Sequence, residues 1–119
     1  RDGLVKNEMT LLGGYRIVWL MVMFDLPVLT SVQRMNATQF RLSLLDMGFL
    51  RAQLSVYMRF CTSYAQAATY CRRVEGALPD GGLVNIVQIT DKQYERIMTF
   101  KGKHAQPANK PMQQFDLFD

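Results

Sequence analysis

Eight consecutive apolar residues, Ile17-Val18-Trp19-Leu20-Met21-Val22-Met23-Phe24, are closed by Asp25 and then by Pro27. A run of this length stopped by proline predicts a central strand over Tyr15–Asp25. A carboxylate ending a buried strand is costly without a partner, so Asp25 calls for a metal ion, an N–H cluster or a symmetry-related copy of itself. Thr30-Ser31-Val32-Gln33 then has the form of a capping box, and a helix follows to about Met47. Ala37, Phe40, Leu44 and Met47 recur at spacings of three and four and make its inward face. Gly48 supplies the left-handed stop.

The next segment alternates. Leu50, Ala52, Leu54, Val56 and Met58 point one way, and Arg51, Gln53, Ser55, Tyr57 and Arg59 the other. The first set is apolar and reads as a core face. The second is polar and suits an interface or phosphates. Ser63–Gln66 repeats the capping-box form, and Ala67, Cys71, Val74 and Leu78 give a second helix an inward stripe that ends at Pro79. After the Asp80-Gly81-Gly82 turn, the β-branched stretch Leu83–Thr90 predicts another strand. A short helical turn over Asp91–Arg96 and a short strand within Ile97–Lys103 complete the periodic part.

Strands alternating with helices on this scale predict a ferredoxin-like α+β sandwich of order βαββαβ. Residues 49–60 must then supply two strands, yet they hold no Gly, Pro or Asn, and a kink or bulge near Gln53–Ser55 is the expected device. Residues 1–14 read as a flexible leader, 15–103 as the domain and 104–119 as a mobile polar tail with an apolar tip at Phe115, Leu117 and Phe118.

Composition narrows the function classes. With 119 residues, 49% hydrophobic, the chain has material for one small core, which favours an oligomer. The formal net charge of +4 fits a phosphate-bearing partner. Two cysteines, no CxxC pattern and one histidine argue against a zinc site, and the cysteines read as reduced thiols, with Cys71 turned inward. The longest apolar run is far short of a membrane span, no secretory signal pattern is visible, and a cytoplasmic location is expected.

Several segments, in this order and spacing, resemble a known family. They are Val22-Met23-Phe24-Asp25-Leu26-Pro27, Arg34, Phe40-Arg41, Leu44, Gly48-Phe49, Gln53, Ser55-Val56-Tyr57 and Thr90-Asp91-Lys92-Gln93-Tyr94. From about Tyr15 to Lys101 the chain resembles the small CRISPR-associated adaptation protein, the non-integrase subunit of the spacer-acquisition complex. The Phe-Asp-Leu-Pro and Lys-Gln-Tyr pieces look most like the forms that accompany type II systems. The resemblance implies a ferredoxin-like homodimer with sheets packed together and the C-terminal strand crossing to the partner. It implies a platform clamped between integrase subunits, with double-stranded DNA across it. Some members are also metal-dependent nucleases of RNA or DNA, in which the strand-end aspartate of each protomer meets at the two-fold axis and can hold Mg2+. Asp25 occupies that position.

Asp25 is therefore the candidate catalytic and metal-binding residue, with a backbone cap as its structural alternative. One protomer offers a single plausible carboxylate, so two copies are the minimum for magnesium. Arg34, Arg41, Arg51, Arg59, Arg72 and Arg73 are the candidate nucleic-acid contacts, since a guanidinium fork suits phosphate oxygens and positions DNA without reading its sequence. Tyr57 and Gln53 read as half-buried interface or sheet residues, Trp19, Met21 and Met23 as core, and His104 as a tail residue without a catalytic role. The sequence favours a DNA-binding scaffold that bridges integrase subunits. The alternative is a Mg2+-dependent endonuclease of RNA or DNA built on paired Asp25. A third class, a ligand-sensing or RNA-binding module, lacks support, because no aromatic RNA-binding strand motif is present.

Overall fold

The computed structural model describes residues 16–106. Strand β1 (Val18–Asp25) lies inside a four-stranded antiparallel sheet with β2 (Leu50–Gln53), β3 (Val56–Cys61) and β4 (Leu83–Thr90), in the order β2-β3-β1-β4. Helices α1 (Ser31–Asp46) and α2 (Tyr64–Gly76) connect β1 to β2 and β3 to β4. The sheet order and the two helical connections make the fold ferredoxin-like α+β. Helix α3 (Asp91–Glu95) follows, then a separate hairpin of β5 (Thr99–Lys101) and β6 (His104–Gln106). Pairing thus continues into residues expected to be tail; the expected leader and the rest of the expected tail lie outside the described residues.

The alternation of β1 divides the molecule. Val18, Leu20, Val22 and Phe24 are buried against α1 and α2, where Phe40, Leu44, Ala67 and Val74 complete the core. Trp19, Met21 and Met23 point to the opposite face and are only half-buried, and Asp25 is exposed. These three apolar side chains are not part of the helix-covered core. Asp25 likewise escapes the expected burial cost, because the strand runs out into solvent before the carboxylate.

Helix α1 starts as the spacing predicts. Thr30 Oγ1 accepts from the Gln33 amide at 3.1 Å, and Gln33 Oε1 accepts from the Thr30 and Leu29 amides at 3.0 and 2.9 Å. Helix α2 has only half of the expected box. Ser63 Oγ accepts from the Gln66 amide at 3.0 Å, but Gln66 Oε1 takes the Thr62 amide instead. Its inward stripe is shorter than expected, with Ala67 and Val74 buried, Cys71 half-buried and Leu78 46% exposed. The helix ends at Gly76, before Leu78 can turn toward the core. Thr90 and Gln93 form a second complete capping box at α3.

The alternating segment is a hairpin turning at Leu54–Ser55, with a register shift between Arg51 and Gln53. No special turn residue is needed, because the Phe24 amide donates to Ser55 O at 3.0 Å and ties the turn to β1. The parity of this segment holds for Arg51, Tyr57 and Arg59, but the register shift sets Gln53 opposite Val56, with the apolar set, and the polarity of the two faces is the reverse of the expected one. Tyr57 pairs with Val22 and is 1% exposed between sheet and helices, so it is a core residue and not a half-buried interface tyrosine. Arg51 and Arg59 share its side, by pairing with Tyr57 and Leu20. The apolar set lies on the other face, where Ala52 and Met58 form a second cluster with Tyr94, backed by Trp19 and Met21.

Candidate functional site

Asp25 sits where β1 ends, paired across to Leu83 of β4 on the face away from α1 and α2. The following loop is held from two directions. Arg34 of α1 donates through Nη1 to Val28 O and Leu29 O at 3.2 and 3.1 Å, while Gln33 accepts the Leu29 amide. From the other side Gly82, at φ +92°, packs onto the strand end. A Cβ there would stand 2.7 Å from Asp25 O and 2.8 Å from Leu26 Cδ2, so glycine is required both by conformation and by space. Nothing in the local pattern links Gly82 to Asp25; the Asp80-Gly81-Gly82 turn signal marks it only as a turn residue. Arg34, expected to contact phosphate, here clasps the loop beside the candidate carboxylate.

The remaining arginines divide by environment. Arg41 is half-buried with its guanidinium 5.5 Å from the Phe24 ring centroid. Arg51 is half-buried on the edge strand β2. Arg59 is committed to the protein's own backbone. Its Nε donates to Met47 O at 2.8 Å, its Nη1 to Phe60 O at 2.6 Å, and its guanidinium lies 3.7 Å from the Tyr70 ring centroid. Helix α1 has no basic residue in its last turn, so Arg59 supplies from β3 the cation that its terminal carbonyls attract. Arg72 and Arg73 are exposed on α2. Arg72 donates to Thr69 Oγ1 at 3.3 Å, and Arg73 stands 5.0 Å from Tyr70. The structure thus brings Arg59 and Arg73 together around Tyr70. All six arginines belong to the side of the sheet that carries α1 and α2, whereas Asp25 belongs to the other.

The open face has its own organisation. Trp19 and Tyr94 rings stack at 3.8 Å and 10°, Phe60 meets Trp19 edge-on at 5.6 Å, and Trp19 Nε1 donates to Asp91 Oδ1 at 2.9 Å. This cluster covers the far end of the face from Asp25. Burial, with the Asp91 carboxylate second, holds the Tyr94 hydroxyl above its ordinary pKa. Burial likewise raises the Cys61 and Cys71 thiols, partly opposed by Arg59 and Arg72, and both cysteines are free. They are poor nucleophiles and stay outside the candidate chemistry.

Among the described residues, no group of three or more His, Cys, Asp or Glu side chains could hold a metal ion. Two Asp25 carboxylates brought together would match the one or two carboxylates that magnesium usually takes from protein.

These features define a small ferredoxin-like α+β sandwich with an acidic end to its first strand, an open apolar sheet face and arginines on its helical side. The pattern of the CRISPR associated protein Cas2 family matches residues 18–97, and the chain belongs to that family. It is 60% identical over 108 residues to the CRISPR-associated endoribonuclease Cas2 of Paracidovorax avenae, covering 91% of this chain and 100% of the relative. It is 43% identical over 109 residues to the protein of the same name from Flavobacterium psychrophilum, covering 92% and 95%. A Rhodospirillum rubrum relative named CRISPR-associated endoribonuclease Cas2 2 is 41% identical, covering 88% and 97%. Among the described residues no helix is long and apolar enough to cross a membrane.

Proposed function

We propose that the chain is an endoribonuclease of a CRISPR system, working as a homodimer whose two Asp25 carboxylates form one site at the two-fold axis. The observation that carries this reading is the placement of Asp25, exposed on the end of the central strand and on the same face as an apolar surface open to a second sheet. Met21 and Met23 are half-buried on that face, and Leu83 and Val87 are exposed at 63% and 36%. Sheet-on-sheet packing through it would bury these side chains. The names of the relatives support the nuclease reading over the scaffold that the sequence favours.

Paired Asp25 would hold Mg2+, which supplies charge stabilisation and water activation to phosphodiester hydrolysis when bound. The chain's own contribution is placement. Gly82 and the Arg34–Gln33 clasp fix the loop on either side of the strand end, so two carboxylates meet in a set geometry. The test is RNA cleavage by wild type and Asp25→Asn, with magnesium and with chelator, alongside light scattering for mass. Cleavage is expected to need magnesium and to vanish in Asp25→Asn, with the dimer mass kept. Cleavage surviving the substitution overturns the reading.

A second role is favoured by a separate observation, the gathering of the candidate arginines on the helix-bearing side, where Arg72 and Arg73 are exposed on α2. That side suits the backbone of duplex DNA, and the dimer would then hold integrase subunits at a fixed separation during spacer acquisition. The two roles use opposite sides of the sheet and can coexist. Arg72→Glu with Arg73→Glu is expected to weaken duplex binding and leave Asp25-dependent cleavage in place. Unchanged binding at low salt removes α2 from the DNA surface.

A further inference from the structure

Beside the strand end a cleft of about 220 Å3 opens between the start of α1 and the turn that precedes β4. Leu26 and Pro27, the residues directly after Asp25, line it together with Asn36 of α1 and Pro79, Asp80 and Gly81 of the turn. The turn packs closely on the loop. A Cβ at Gly81 would meet Pro27 Cγ at 3.6 Å, and Gly82 abuts Asp25 O and Leu26. The loop after the candidate carboxylate is therefore one wall of the cleft, and Gln33, whose Oε1 holds that loop, lines it as well.

Size, charge and chemistry together restrict its occupant. Its volume is below the roughly 300–1,000 Å3 of pockets that take drug-sized ligands, which suits one planar ring system better than a whole nucleotide. No Lys or Arg lines it, and Asp80 adds a carboxylate, so a neutral group is admitted and a phosphate is repelled. Two prolines and a leucine offer apolar surface to the faces of a ring. Asn36 offers a donor and an acceptor, and Asp80 offers two acceptor oxygens to its edge. Enzymes acting on nucleic acids hold an unstacked base in this manner, between apolar side chains, with hydrogen bonds to its Watson–Crick edge.

We propose that this cleft is a subsite for one unpaired nucleobase next to the Asp25 strand end, with guanine preferred. Guanine alone among the four bases presents two adjacent N–H donor groups, N1–H and N2–H2, to a single carboxylate. The proposal rests on the nuclease reading for the identity of the strand, while the cleft's ligand chemistry stands apart from it. A base held here would anchor one nucleotide of a single-stranded RNA against the loop that follows Asp25.

The test is an NMR titration of the nitrogen-15-labelled full chain with guanosine, adenosine, cytidine and uridine, in chelator. Guanosine is expected to shift the amides of Asn36, Asp80 and Gly81 and to saturate at the lowest concentration. Asp80→Asn is expected to lower guanosine affinity about tenfold or more, the loss of a charged hydrogen-bond acceptor. Asn36→Leu is expected to weaken all four nucleosides while keeping native amide dispersion. Absence of shifts at these residues, or equal affinity for the four nucleosides that Asp80→Asn does not change, overturns the proposal. Nucleosides carry no phosphate and need no metal. A failed cleavage experiment on Asp25 therefore leaves this result readable, and a failed titration leaves Asp25-dependent cleavage readable.

Discussion

The two faces of the sheet are built from the same strand and have different fates. On the helical side β1 contributes Val18, Leu20 and Val22, each 0% exposed, and two helices close over them. On the open side it contributes Trp19, Met21, Met23 and Asp25, and α3 covers only the Trp19 end. The first face settles its burial within one chain. The second leaves apolar area beside a carboxylate, which is the combination expected of a surface completed by another molecule. A strand of period two can therefore serve stability with one set of residues and function with the other, and substitutions on the two faces should separate the two properties.

The largest expected effect lies on the closed face. Leu20→Ala should destabilise the fold by about 2–5 kcal/mol, because the removed methyl groups leave a cavity beneath two helices. Val87→Lys, on the open face, should change protomer stability by no more than about 0.5 kcal/mol, as surface substitutions do, yet remove the proposed dimer. Denaturant unfolding and light scattering read the two outcomes. If Val87→Lys unfolds the chain as Leu20→Ala does, or leaves a dimer intact, the division between the faces is wrong.

A second comparison separates arginines that hold the fold from arginines left for a partner. Arg59→Ala removes hydrogen bonds to Met47 O and Phe60 O together with the stack on Tyr70. A loss of about 1.5–3 kcal/mol is expected, the range for hydrogen bonds from a charged group. Arg72→Ala should stay within about 0.5 kcal/mol, since its side chain is exposed and bonds only within its own helix. Denaturation midpoints of the two variants decide it. Equal stability losses would erase the distinction.

These comparisons also show where the sequence was informative. β1, both long helices and the placement of Asp25 at a strand end follow from local periodicity and caps, and all were legible. The break near Gln53–Ser55 was legible as well, but not its form as a hairpin turn, because the Phe24–Ser55 hydrogen bond fixes it and no turn residue does. The orientation of Tyr57 was missed for a related reason. Parity says which residues share a face, but only the positions of the helices say which face is covered. Among the site residues, Asp25 stands out as a lone charge in an apolar run, whereas the loop clasp by Arg34 and the clamp by Arg59 are made to backbone oxygens, which no residue type in the sequence marks as acceptors. An arginine in a sequence looks the same whether it meets a phosphate or a helix end.

The smallest effect concerns the covered end of the open face. Burial and the Asp91 carboxylate raise the Tyr94 pKa above its value in the unfolded chain, so the folded state keeps the phenol proton to higher pH. Between the unfolded pKa, about 10, and the raised folded value, the folded state binds more protons than the unfolded one. The stability contributed by the neutral phenol is therefore complete below about pH 10 and is lost as pH rises through the folded pKa. Tyr94→Phe keeps the ring stacked on Trp19 and removes the titrating group. Its stability should match wild type near neutral pH and fall less steeply above about pH 10. Thermal unfolding from neutral to alkaline pH measures both slopes. Identical slopes would mean that Tyr94 titrates as an exposed phenol, and that α3 does not seal this end of the sheet.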